Sequence, residues 1–133
     1  MKAVAMVLGL LSLGASLYAA SAAPIKVFSA EKGKYVMAER VQKTDEEWKR
    51  ILTSEQFQIT RKKGTELAFS GATWNSHERG VYQCVCCGND LFKSGSKFDS
   101  GTGWPSFTEP IAAENVKRLE DASLFMKRTE VLC

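Results

Sequence analysis

The sequence predicts a mainly β domain that begins with two short helices. Beyond Gly64 the chain breaks into short segments rich in β-branched and aromatic residues, Leu67-Ala68-Phe69, Gly80-Val81-Tyr82, Leu91-Phe92 and Leu124-Phe125-Met126. Clusters of Gly, Asn, Asp and Ser separate them, which is the spacing of an antiparallel β domain. Ahead of Gly64, helix-start signals occur twice. With 133 residues, 44% hydrophobic and 25% charged, there is room for one globular domain.

The first residues carry a single cation at Lys2, then an apolar run from Ala3 to Leu17, then small residues. This is the layout of a secretory signal peptide, and Ala20-Ser21-Ala22 offers the small-x-small site that places cleavage after Ala22. An apolar core of about 15 residues is shorter than the ~20 a spanning helix needs. We therefore expect a signal peptide over 1–22, no stable membrane association once it is removed, and a secreted or periplasmic protein. The alternative is an endomembrane lumen or an organelle.

Residues 23–40 are irregular, with Gly33 between short apolar pieces, and read as a linker or extended arm. Thr44 opens a Thr-x-x-Glu capping box with Glu47. Trp48, Ile51 and Leu52 then share one helical face. Thr53-Ser54-Glu55-Gln56 repeats the device, and a second helix runs to Arg61-Lys62-Lys63-Gly64, where Gly64 is expected to take the left-handed cap.

The net charge of +3 comes from 18 basic and 15 acidic residues in mixed clusters. That balance excludes the concentrated basic footprint of a nucleic-acid binder.

Three of the four cysteines fall within Cys84-Val85-Cys86-Cys87, and the fourth is Cys133. Cys84-x-x-Cys87-Gly88 between two strand-like pieces suits half of a structural zinc site, which takes four ligands and commonly two Cys-x-x-Cys pairs. Two other readings stay open. A redox couple would need a helix to begin at the motif, and Gly88-Asn89-Asp90 is a turn signal instead. A disulfide between adjacent Cys86 and Cys87 is geometrically poor, although either could bridge to Cys133. Cys86 lies outside the pair and reads as a small side chain in the turn; redox work by it would need a depressed pKa.

The second dense motif is Phe98-Asp99-Ser100-Gly101-Thr102-Gly103-Trp104-Pro105-Ser106-Phe107. Its glycines permit a sharp path and Pro105 fixes the chain after Trp104, so the indole can be either a core residue capped by a turn or the wall of a pocket.

Together these motifs resemble the methionine sulfoxide reductase B family. The resemblance runs through Thr44-Asp45-Glu46-Glu47-Trp48, Arg61-Lys62-Lys63-Gly64-Thr65-Glu66, Phe69-Ser70-Gly71, Gly80-Val81-Tyr82-Gln83-Cys84, Cys87-Gly88, Leu91-Phe92, Lys97 to Phe107 and Arg128-Thr129-Glu130-Val131. It implies an MsrB domain over 41–133 with an Mss4-like fold, two antiparallel sheets and short N-terminal helices. It implies a structural zinc held by Cys84, Cys87 and Cys133 with a fourth cysteine beyond the chain, and Trp104 receiving the methyl of the substrate.

The implied activity is that of a peptide-methionine (R)-S-oxide reductase, which repairs oxidatively damaged proteins and is regenerated by thioredoxin or a glutaredoxin-type reductant. The family nucleophile and its His-x-x-His segment follow the second zinc pair, so the resemblance assigns no catalytic residue within 1–133 and the domain is expected to be incomplete at its C-terminus. Thr102 stands where many members carry a resolving cysteine, and His77 reads as a surface histidine. A non-catalytic zinc-ribbon-like interaction module is the rival expectation.

Overall fold

A computed structural model describes residues 22–121 and 128–133. The expected signal segment, apart from Ala22, and the strand expected at Leu124-Phe125-Met126 lie outside them. No helix among the described residues is long and apolar enough to cross a membrane.

The protein is mainly β, with two short helices. In chain order the elements are β1 (Ile25–Ser29), β2 (Lys34–Ala38), α1 (Asp45–Ile51), α2 (Ser54–Arg61), β3 (Val81–Gln83), β4 (Asp90–Lys93), β5 (Lys97–Phe98), β6 (Ser106–Phe107), β7 (Lys117–Asp121) and β8 (Arg128–Leu132). Among the described residues the strands pair as four two-stranded antiparallel ladders, β1-β2, β3-β4, β5-β6 and β7-β8, where the family resemblance implies two sheets.

Both capping boxes form. Thr44 accepts from the Glu47 amide while the Glu47 carboxylate takes the Thr44 N–H at 2.7 Å, and Thr53 and Gln56 repeat the exchange in α2. Each box satisfies two of the amides that a helix start leaves free. The helices pack through Trp48, Leu52 and Phe57, all more than nine-tenths buried. Cations cover the outside of this cluster: Arg61 stands 5.2 Å from the Trp48 ring, and Lys49 and Lys62 each stand 5.4 Å from Phe57.

Four expectations change. Ile51 is 58% exposed rather than buried beside Trp48, because it sits at the last residue of α1 and the buried stripe continues through Leu52 instead. The left-handed residue ending α2 is Lys63, at φ 57°, not Gly64. Gly64 serves another need: its N–H bonds the Gln58 carbonyl at 3.0 Å, and a Cβ there would stand 2.9 Å from that same oxygen. Leu67-Ala68-Phe69 is a turn and not a strand, since Phe69 takes φ 67° to give its N–H to the Gly103 carbonyl at 2.8 Å.

The fourth change concerns residues 23–40. In place of a linker they hold the β1-β2 hairpin, with Ile25 opposite Ala38 and Ser29 opposite Lys34. Gly33 supplies the positive φ of its turn, and Val27 is buried. Long-range bonds fasten β1 to the domain: Phe28 exchanges both of its backbone bonds with the Asn115 side chain, and the Ala30 N–H donates to Asp90 at 2.8 Å.

Candidate functional site

Strand β3 delivers Cys84 to its end, and β4 begins at Asp90. Between them the chain turns back on itself: Gly88 N–H bonds the Cys84 carbonyl at 2.8 Å, and Cys84 N–H bonds the Asn89 carbonyl at 2.9 Å. Gly88 sits at φ 71°, a conformation glycine takes without Cβ strain. This turn returns Cys87 to the side of Cys84. Strand β8 pairs with β7, Lys117 facing Leu132, and carries Cys133 to the same place.

The Sγ atoms of Cys84, Cys87 and Cys133 lie within 4.8 Å of one another, with Cys87 and Cys133 3.3 Å apart. A tetrahedral metal with sulfur at about 2.3 Å separates its ligand sulfurs by roughly 3.8 Å. A disulfide would require about 2.05 Å, and all four cysteines are unbridged. The donor set therefore suits a thiophilic metal ion, with these three residues holding three of its positions.

Electrostatics favour an anion at the centre. The Cys84 thiol is lowered to about 5, first by the hydrogen bond from Cys133 and then by the amides of Cys87 and Cys86, against burial. Cys133 is raised, chiefly as donor to Cys84, and Cys87 is raised chiefly by burial. One thiolate stabilised by neighbouring thiols and amides is what a metal displaces protons from on binding.

Cys86 is not one of the three clustered thiols and packs against the helical cluster of Trp48, Leu52 and Phe57. It ties the turn to the helical pair as a small apolar side chain. A thioredoxin-like couple needs a helix to start at the motif; residues 85–87 are a turn, and β4 follows.

The second motif builds a cleft of about 210 Å³ whose lining includes Trp74, His77, Tyr82, Lys97, Phe98 and Trp104. The Trp104 indole donates its N–H to the Glu66 carbonyl at 3.0 Å and leaves 39% of the residue exposed. That bond anchors the indole on the wall of the cleft. Gly103, at φ 83°, packs so tightly that a Cβ would stand 2.7 Å from the Phe69 ring. Lys97 closes the floor by donating to the carbonyls of Trp74 and Ser76 at 2.9 and 2.7 Å. His77 is exposed on the rim, and Thr102 is exposed and bonded to Ser100 at 2.7 Å.

Sequence reasoning missed the residues that support the cysteine turn. Asn115 is 3% exposed and Asp90 9%, and both bridge segments far apart in the chain. A local signal existed for Asn89 and Asp90, in the Gly88-Asn89-Asp90 turn, but none for Asn115.

Comparison with known proteins agrees with this geometry. The SelR domain matches residues 52–133. "Peptide methionine sulfoxide reductase B1, chloroplastic" of Oryza sativa subsp. japonica is 58% identical over 91 residues, covering 68% of this chain and 42% of its own. "Peptide methionine sulfoxide reductase MsrB" of Methanosarcina barkeri is 53% identical over 93 residues, 70% of this chain and 66% of its own. "Peptide methionine sulfoxide reductase B1, chloroplastic" of Arabidopsis thaliana is 47% identical over 126 residues, 95% of this chain and 59% of its own. The chain thus spans between 42% and 66% of the length of these relatives. With the SelR domain over most of its length and about half of the aligned residues identical in these proteins, the chain belongs to the SelR-domain, methionine sulfoxide reductase B, family.

Proposed function

We propose that the whole protein is a peptide-methionine (R)-S-oxide reductase. The observation that carries this reading is the part-exposed Trp104 indole, anchored through Glu66 on the wall of a cleft in a chain that belongs to this family. An indole held in this way receives the methyl group of a methionine sulfoxide by apolar contact, and the polar residues around it, Asn75, Ser76 and His77 among them, face the sulfoxide end.

In the reaction, a thiolate attacks the sulfoxide sulfur and the oxygen passes to the enzyme, leaving the thioether and a sulfenic acid. A second thiol condenses with the sulfenic acid, releasing water and forming a disulfide, which an external dithiol of the thioredoxin or glutaredoxin type reduces. This reading gives no cysteine within 1–133 the nucleophile's role; the grouping of Cys84, Cys87 and Cys133 and the packing of Cys86 against the helical cluster support it. With Thr102 at the place of the family's resolving thiol, the second thiol comes from elsewhere in the protein or from the reductant.

Cys84, Cys87 and Cys133 would hold a structural zinc, which would tie β8 to the β3-β4 turn and contribute to folding. The apolar segment at 1–22 supports export to a secreted or periplasmic location, with an endomembrane lumen or an organelle as the alternative.

The test is turnover of the separated R and S epimers of a methionine sulfoxide peptide by the full-length protein with dithiothreitol. We expect consumption of the R epimer alone, and a fall of about tenfold or more in kcat/KM for Trp104→Ala, equivalent to about 1.4 kcal/mol of transition-state binding. Residues 1–133 alone should show no turnover. Activity of that segment that disappears in Cys86→Ser would overturn the assignment of roles, and a full-length protein that binds metal but reduces neither epimer would favour the zinc-ribbon-like interaction module.

A further inference from the structure

Asn115 is almost wholly buried, at 3% exposure, and its amide is fully used. Oδ1 accepts the Phe28 N–H at 2.7 Å, while Nδ2 shares its hydrogens among the Phe28 carbonyl at 2.8 Å, the Asp90 carbonyl at 2.7 Å and Asn89 Oδ1 at 3.2 Å. Asn89 answers by donating Nδ2–H to the Asn115 carbonyl at 2.8 Å. Its other Nδ2 hydrogen reaches Cys133 Sγ at 3.8 Å. The Asn89 carbonyl, in turn, accepts the Cys84 N–H at 2.9 Å.

Asn89 therefore touches all three clustered cysteines: its carbonyl holds the Cys84 N–H, its backbone N–H bears on Cys87 and its side chain reaches Cys133. Asn115 locks the Asn89 rotamer that makes the side-chain contact possible. Cys133 follows directly on the last residue of β8. An N–H directed at its sulfur orients that sulfur within the cluster. Loss of a group that orients a ligand in this way typically lowers metal affinity by about 10–100-fold.

We propose that Asn89 and Asn115 are positioning residues for the metal thiolates, Asn89 by directing Cys133 and Asn115 by fixing Asn89 against β1. The proposal rests on the reading of Cys84, Cys87 and Cys133 as a metal site. It also gives the β1-β2 hairpin, which precedes the SelR match at 52–133, a part in metal retention, because Phe28 holds Asn115 from both sides.

The experiment is cobalt(II) substitution in the full-length protein, following the thiolate-to-cobalt charge-transfer band and the affinity in competition with a chelator. Asn89→Ala and Asn89→Asp should bind cobalt about 10–100-fold more weakly than the unsubstituted protein and shift the charge-transfer band, because the N–H on Cys133 is gone. Asn115→Ala should weaken binding in the same direction. Thr44→Ala, a helix-cap change away from the cluster, should lower stability without moving affinity or band. If the unsubstituted protein shows no thiolate-to-cobalt band, the metal reading falls and the proposal with it. If it binds cobalt and both Asn89 variants keep the affinity within about twofold and an unshifted band, the metal reading stands and the positioning role is overturned. Should Asn115→Ala fail to fold, the Asn89 variants decide.

Discussion

The two ends of the molecule are held together by different physics. At one, α1 and α2 bury Trp48, Leu52 and Phe57 against each other and against Cys86, with side-chain capping at both helix starts. At the other, the β1-β2 hairpin meets the cysteine turn through buried polar groups, with Asn115 and Asp90 bridging Phe28 and Ala30 across 87 and 60 residues of sequence. The apolar end is non-directional and tolerates change of shape. The polar end is directional and fails when a single partner is lost.

The largest effect expected from this contrast is at Trp48. Trp48→Ala should cost about 3–5 kcal/mol in denaturant unfolding, since it empties the centre of the helical cluster. Trp48→Phe should cost far less. The indole N–H is buried with no hydrogen-bond partner, and removing an unsatisfied donor offsets part of the lost volume. Equal losses for the two variants would show that the indole nitrogen is serving a bond and that this end is not held by apolar burial alone.

Asn115→Leu, nearly isosteric, should cost about 1–3 kcal/mol, because it leaves the Phe28 N–H and the facing carbonyls without partners. A neutral result in the same unfolding measurement would break the comparison, placing the cohesion of the hairpin in Val27 and its apolar contacts instead.

This contrast also explains what could be read from the sequence. Capping boxes are local patterns four residues long, so both helices and their starts were legible at Thr44-Glu47 and Thr53-Gln56. The Cys-x-x-Cys-Gly turn and the Gly-Trp-Pro motif were legible for the same reason. The hairpin was not, because its fastening depends on Asn115, whose meaning appears only when Phe28 is beside it. Phe69 was misread as strand for a similar reason: its positive φ answers to Gly103, which lies 34 positions later in the chain. Local propensity is a weak prior wherever a distant backbone group sets the conformation.

The smallest effect separates the two capping boxes themselves. Thr44→Ala and Thr53→Ala should each cost about 1 kcal/mol, but only the first box can titrate, since its carboxylate is Glu47 where α2 has Gln56. The Glu47 carboxyl lies below its ordinary value of 4.5, first through the Thr44 backbone N–H and then through the Thr44 hydroxyl. A depressed folded value means that the cap's contribution is complete above the unfolded value and is lost as pH falls through the folded one. Lowering the pH from about 5 to about 3 should therefore loosen the first turn of α1 while leaving that of α2 intact, read as faster amide exchange at Glu47 than at Gln56 after correction for intrinsic rates. Asp45 is lowered too, mainly by its hydrogen bond with Lys62, and contributes in the same window. Glu47→Gln isolates the cap: it keeps the acceptor and removes the charge, so the remaining pH dependence of α1 should belong to Asp45 and vanish in Asp45→Asn with Glu47→Gln. If α1 keeps its full pH dependence in that double variant, the carboxylates are not what couples this helix to pH.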